Sequence, residues 1–324
     1  MQKTIAIWFL ATLLLAACNR EAVSPYPDID FEQKAPAPEV ARACGTAFVI
    51  NGKAYVTLGR NGGLLKDCRE YNPENDSWTQ KQDFPGTGRV FPISAVVDGM
   101  AYVGLGYNNG GVYQETSYLK DFWMYDPVAD SWLQKADYPT HTSNNTTSFV
   151  YQHEIYVLHG FGPDTFNGNI FKYDPVTDTW TQLTDFPGYN RTCAVSCTDG
   201  NRIFSGTGFA TWNENDWWEY LPESDSWSRK KDMPDLGRIN GLGFSIDNRF
   251  FVATGRHWAG EHTGGHLKSD VMEYDAIRNK WYNRGIIPGG GRENALCFVI
   301  NDKVYIGFGE NENKVLDDLL CFQP

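Results

Sequence analysis

Short apolar runs separated by polar turns recur along the chain. AFVINGKAYVTLG (47–59), AVVDGMAYVGLG (95–106), FVYQHEIYVLHG (149–160), VSCTDGNRIFSGTG (195–208), FSIDNRFFVATG (244–255) and CFVINDKVYIGFG (297–309) each read as two strands about a tight turn. Asn-Gly or Asp-Gly stands at three of these turns, and both residues tolerate the positive φ that a two-residue hairpin requires. An aromatic marks each second strand: Tyr55, Tyr102, Tyr156, Phe204, Phe251 and Tyr305, at intervals of 47, 54, 48, 47 and 54 residues.

A second pattern follows each hairpin. YNPENDSWTQKQDFPGTGR (71–89) returns at 125–143, 173–191, 220–238 and 274–292. In every copy Trp stands seven after Tyr and Pro seven after Trp, and four copies place an Arg four further on; Ser143 takes that position in the remaining copy. The Tyr ends a third strand, the turn after it reverses the chain, and the Trp starts a fourth. Four antiparallel strands repeating near fifty residues predict the blade of a β-propeller. The last copy ends LDDLLCFQP after its third strand, whereas Phe31, Pro38 and Arg42 near the N-terminus repeat the Trp–Pro–Arg spacing. Residues 31–34 are therefore expected to be the outer strand of blade 6. The expected fold is all-β, a six-bladed propeller over residues 30–324 whose ring an N-terminal strand closes, leaving no open seam.

The Tyr/Phe-x-Pro turns, the Trp seven after each Tyr and the Gly closing each second strand make the chain resemble kelch-repeat proteins. It departs from them in one respect: a single closing Gly stands where the family usually has a pair. The resemblance implies a propeller that serves as a binding or interaction module. The architecture is also similar to that of six-bladed sugar epimerases of the N-acetylneuraminate type, which implies a mutarotase as the alternative. A structural component of an envelope complex is the third reading, since fold alone decides none of these.

The first residues, MQKTIAIWFLATLLLAAC, combine Lys3, an apolar run and a small-residue end at Cys18. This predicts a signal peptide over 1–18 with a lipidated Cys18, and a polar tether over 19–29. Asn19 after the Cys points to the outer membrane of a Gram-negative cell envelope, with the lipid as the only membrane contact. Twenty-eight Lys and Arg against 40 Asp and Glu give a net charge of −12, which argues against nucleic acid as a partner. A monomer is expected. The six remaining cysteines are expected to be buried thiols: Cys193 and Cys197 read as lying on one strand, too far apart to bridge.

Strand direction puts the long loops after each closing Gly, and the segments after each Pro, on one face of the disc. Arg42, Arg89, Arg191, Arg238 and Arg292 all enter innermost strands there. They are expected to brace the loops, and their convergence also favours an anionic ligand, either a carbohydrate or a protein partner. The residues after the closing glycines, Arg60, Tyr107, Phe161, Phe209, Arg256 and Glu310, share that mouth. Glu310 is expected between Arg60 and Arg256, as a satisfied ion pair or an acid–base group, and is the one catalytic candidate. Tyr107, Tyr113, Trp212 and Trp258 are candidates for stacking on a sugar ring. His257, His262 and His266 with Glu261 lie in a glycine-rich loop without fixed ligand geometry and read as solvated, so neither a metal nor another cofactor is expected.

Overall fold

A computed structural model describes Pro25, Pro27 and residues 29–108, 117–141, 143–260 and 264–324. Cys18, Tyr113, Glu261 and His262 lie outside them. The described chain forms six four-stranded antiparallel sheets arranged as propeller blades. Blade 1 comprises Thr46–Ile50, Lys53–Thr57, Cys68–Asn72 and Ser77–Lys81. Blade 2 comprises Ile93–Val97, Met100–Gly104, Phe122–Asp126 and Ser131–Lys135, and blade 3 Thr147–Tyr151, Glu154–Leu158, Ile170–Asp174 and Thr179–Gln182. Blade 4 comprises Val195–Thr198, Ile203–Gly206, Trp217–Leu221 and Ser226–Arg229, and blade 5 Leu242–Ile246, Arg249–Ala253, Asp270–Asp275 and Lys280–Ile286. Blade 6 comprises Leu296–Ile300, Lys303–Gly307 and Leu319–Phe322, completed by Glu32–Gln33 from the N-terminus.

The expected closure is therefore present, with Glu32 opposite Cys321 and Gln33 opposite Leu320. The amide of Lys34 extends the pairing to the Leu319 carbonyl at 2.9 Å. The propeller starts slightly before the expected boundary at residue 30. Ile29 packs against the core between blades 5 and 6, and Arg284 donates to the Pro27 carbonyl at 2.7 Å.

The repeated Tyr and Trp are the cement between blades. Each third-strand Tyr packs on an aromatic of the preceding blade: Tyr125 on Phe48 and Tyr55, Tyr173 on Tyr102, Tyr220 on Phe149 and Tyr156, Tyr274 on Phe204, and Tyr71 on Phe298 and Tyr305 across the closure. Burying such a ring contributes about 1.5–3 kcal/mol. Its hydroxyl must then find a partner. It donates to the acid or amide five residues on: Asp76, Asp130, Asp178, Asp225 or Asn279, at 2.6–2.8 Å. The same side chains accept a backbone N–H from the neighbouring blade, at Ala35, Gln82, Ala136, Thr184 and Lys231. One Asp thus terminates a buried phenol and ties two blades together.

A second ring of bonds runs nearer the axis. The N–H of each closing Gly donates to the carbonyl of the next blade's Arg, or of Ser143: Gly59 to Arg89, Gly106 to Ser143, Gly160 to Arg191, Gly208 to Arg238, Gly255 to Arg292, and Gly309 to Arg42, all at 2.8–2.9 Å. The glycines have φ between 77 and 114°, and a Cβ at Gly59 would come within 2.5 Å of the Ala43 carbonyl. That close approach is why one Gly per blade cannot be replaced.

Candidate functional site

The five repeated arginines do not open on the mouth. Arg42, Arg89, Arg191, Arg238 and Arg292 are each no more than 1% exposed. In every case Nη1 donates to the carbonyl just before the closing Gly: Leu58, Leu105, Thr207, Thr254 or Phe308, at 3.0–3.3 Å. The fork also grips an aspartate four residues before the third-strand aromatic. These partners are Asp67, Asp121, Asp216, Asp270 and Asp318. Burial would by itself raise the Asp216 carboxyl, but the Arg191 bonds and the Trp218 indole outweigh it and hold the group below its ordinary value. Buried and paired with carboxylates in this way, these guanidiniums are out of a ligand's reach, so the five arginines brace the loops, as expected, but do not form an open anion-binding ring.

Blade 3 supplies the counter-example within the same chain. Where the other blades carry Arg and Asp, it has Ser143 and Asn169, so both charges are absent together. The buried Asn167 takes over the carbonyl, donating from Nδ2 to His159 O at 3.3 Å. Leaving either charge alone would strand it in the interior, and the paired replacement avoids that cost.

What does face the axis comes one and two residues later. The residue after each Arg, or after Ser143, bridges the residue after each closing Gly: Ala43 with Arg60, Val90 with Tyr107, Asn144 with Phe161, Thr192 with Phe209, Ile239 with Arg256, and Glu293 with Glu310. The next residues, Cys44, Phe91, Asn145, Cys193, Asn240 and Asn294, all have left-handed φ of 52–58°. They line a cavity of about 250 Å³ on the axis. Cys193 thus precedes its strand rather than lying on it, and the six described cysteines are free thiols.

The rim above this cavity has two halves. Blades 2 to 5 contribute a continuous aromatic arc, Tyr107–Tyr118–Phe161–Phe166–Phe209–Trp258, with successive ring centroids 5.0, 5.9, 5.4, 6.0 and 4.9 Å apart. Tyr107, expected as an open stacking platform, is only 9% exposed because it packs on Tyr118. Blades 5, 6 and 1 contribute charge. Arg60 donates to Glu310 at 2.6 Å, and Asn294 donates to the other Glu310 oxygen at 2.7 Å. Arg256 donates to Glu293 at 2.7 Å and Glu312 at 2.9 Å, and Asn240 donates to Glu293 at 2.8 Å. Glu310 therefore pairs with one of the two expected arginines; Arg256 is taken by its own glutamates. The Arg60 side chain stays 44% exposed, whereas Arg256 is nearly buried, so Arg60 is the rim guanidinium still open to a ligand. Glu293, Asn240 and Asn294 went unpredicted because only their position two after the Arg, or beside it, marks them.

Trp258 and Trp212 lie off the axis, in a second pocket between the loops of blades 4 and 5. His257 and His266 stand on a two-stranded ribbon of the blade 5 loop. Among the described residues no cluster of three or more metal-type ligands forms, and no helix is long and apolar enough to cross a membrane.

Comparison with known proteins agrees with this geometry. Residues 144–187 match the Kelch motif. An F-box/kelch-repeat protein of Arabidopsis thaliana is 34% identical over 105 residues, 31% of this chain and 24% of that protein, so the match spans about a quarter of the relative's length. The solved structure of YjhT superposes with a TM-score of 0.75 at 20% identity, covering 90% of this chain and 97% of that one. The chain is a six-bladed β-propeller, and residues 144–187 of it match the Kelch motif.

Proposed function

We propose that the axial mouth is a carbohydrate-binding site on an envelope protein held to the outer membrane through a lipid on Cys18. One observation carries this reading: a single rim joins an aromatic arc to an arc of Arg, Glu and Asn over an axial cavity. Apolar ring faces of a sugar suit the aromatic half, and hydroxyl or carboxylate groups suit the polar half. Asn240 and Asn294 are already oriented by Glu293 and Glu310, so they present fixed amides rather than floppy ones. Arg60 has donors beyond the one spent on Glu310, which favours an acidic sugar.

Calorimetric titration of glucuronate, N-acetylneuraminate and glucose tests this. The acidic sugars should bind more tightly than glucose, and Arg60→Ala should weaken them about tenfold or more. No binding of any of the three at millimolar concentration would overturn the proposal.

The placement of Glu310 favours a second reading, a sugar mutarotase. Its carboxylate stands on the rim with one Arg and one Asn donor fixing it, as an acid–base group would be fixed beside a ring oxygen. Following the anomers of N-acetylneuraminate by NMR separates the two readings: catalysed equilibration abolished by Glu310→Gln favours the enzyme, and an unchanged rate favours the binder.

A further inference from the structure

The pocket between blades 4 and 5 sets the size of the ligand. It encloses about 460 Å³, against about 250 Å³ on the axis. Sites for small ligands usually enclose roughly 300–1,000 Å³, so the axial cavity alone is tight for more than a single ring. The off-axis pocket has the walls of a stacking site. Trp212 is 75% and Leu236 72% exposed, and both line the same pocket, so their apolar faces are open to a ligand there. Trp258 is held in place from two sides. Its N–H donates to Asn213 Oδ1 at 3.0 Å while Asn213 Nδ2 donates to its carbonyl at 2.6 Å. The Phe209 ring meets its indole edge-on, at 4.9 Å and 89°. His257 supplies a polar group: its Nδ1 lies 3.2 Å from the Gly237 carbonyl. A carbonyl only accepts, so Nδ1 is the donor in this contact, and Nε2 is the ring's remaining polar atom for a hydroxyl.

Two features tie this pocket to the mouth. Phe209 lines it and is also a link of the rim arc, so a ligand passing from axis to pocket keeps aromatic contact throughout. Among the described residues its lining contains no carboxylate, Lys or Arg, unlike the rim beside it. We infer that the natural ligand is an oligosaccharide, with its polar or acidic unit over the axis and a neutral pyranose stacked between Trp212, Leu236 and Trp258. This rests on the carbohydrate reading of the mouth and extends it to the substrate's length and charge distribution.

The test uses glucuronic acid alone and attached to one or to three neutral xylose units. Wild-type protein should bind the longest compound at least tenfold more tightly than the monosaccharide. That gain should vanish in Trp212→Ala, whose exposed position leaves the fold intact, as an unchanged melting temperature would verify; Leu236→Asp should reduce the gain independently. Affinity independent of chain length overturns the extension while the mouth reading stands, and so does a gain that survives in both variants. Binding to none of the three compounds overturns both readings.

Discussion

His159 is the position at which a single proton's contribution to stability can be isolated. It occupies the place before the closing Gly that Leu58 and Leu105 fill in blades 1 and 2, with nearly the same left-handed φ of 63° against 61° and 59°. The ring is fully buried. Ser205 Oγ donates to the Val195 carbonyl at 2.9 Å, so the contact at 3.2 Å requires Nε2 of His159 to be the donor. Nδ1 is then a buried acceptor without a partner. Burial first, and the nearby Arg191 second, push the imidazole pKa well below 6.5. The sign follows: below the unfolded value the unfolded chain takes up a proton that the native chain refuses, so this group removes stability as pH falls. The slope is about 1.4 kcal/mol per pH unit. Between about pH 7.5 and 5.5, wild type should therefore lose roughly 1 kcal/mol or slightly more relative to His159→Leu, since all other titrating groups are common to both. Urea denaturation of the two proteins at both pH values measures the difference. At the higher pH the variant should be close to wild type, because a lost hydrogen bond of about 1 kcal/mol is offset by removing an unpaired buried polar atom. Parallel pH profiles would refute the reasoning.

Other consequences can be checked with similar means. Asp216→Asn strands the Arg191 guanidinium and should cost about 3–5 kcal/mol, while Arg191→Ser combined with Asp216→Asn, the pair that blade 3 carries, should cost less than the sum of the single changes; simple additivity would remove the account of the ring. A chain beginning at Asp30 loses the contacts of Pro27 and Ile29 and should melt slightly lower, whereas one beginning at Ala35 exposes the edge of blade 6 and should melt several degrees lower still; equal melting temperatures would contradict closure by the N-terminal strand. Cys18→Ala should shift the protein from the membrane to the soluble fraction, and retention in the membrane would argue against the lipid anchor.

Much of the fold was legible because a propeller repeats its physics. Hairpin alternation, the Tyr–Trp–Pro spacing and the Phe31–Pro38–Arg42 echo each report a local constraint, and six near-copies reinforce one another. The mouth was legible as a location for the same reason: strand direction alone puts Arg60, Phe161, Phe209, Arg256 and Glu310 together. The loop-bracing role of the arginines was read from their spacing, but their withdrawal from the mouth was not, since a side chain entering the axis can point along it or back into its own blade. A signal was nevertheless present. Asp67, Asp121, Asp216, Asp270 and Asp318 each stand four before the third-strand aromatic, and the blade that lacks the Arg has Asn169 there. Two charges that disappear together from one repeat are a pair. The aromatic arc was less accessible, because Tyr118 and Phe166 lie in loops of unequal length with no register to relate them.

The most direct test of the central claim is a crystal structure of the protein soaked with glucuronate. The account predicts the sugar at the axial mouth, its ring against the aromatic arc, its carboxylate on Arg60, and its hydroxyls within reach of Asn240 or Asn294. A bound sugar away from the axis, or an empty mouth at a concentration that saturates binding in solution, would contradict it.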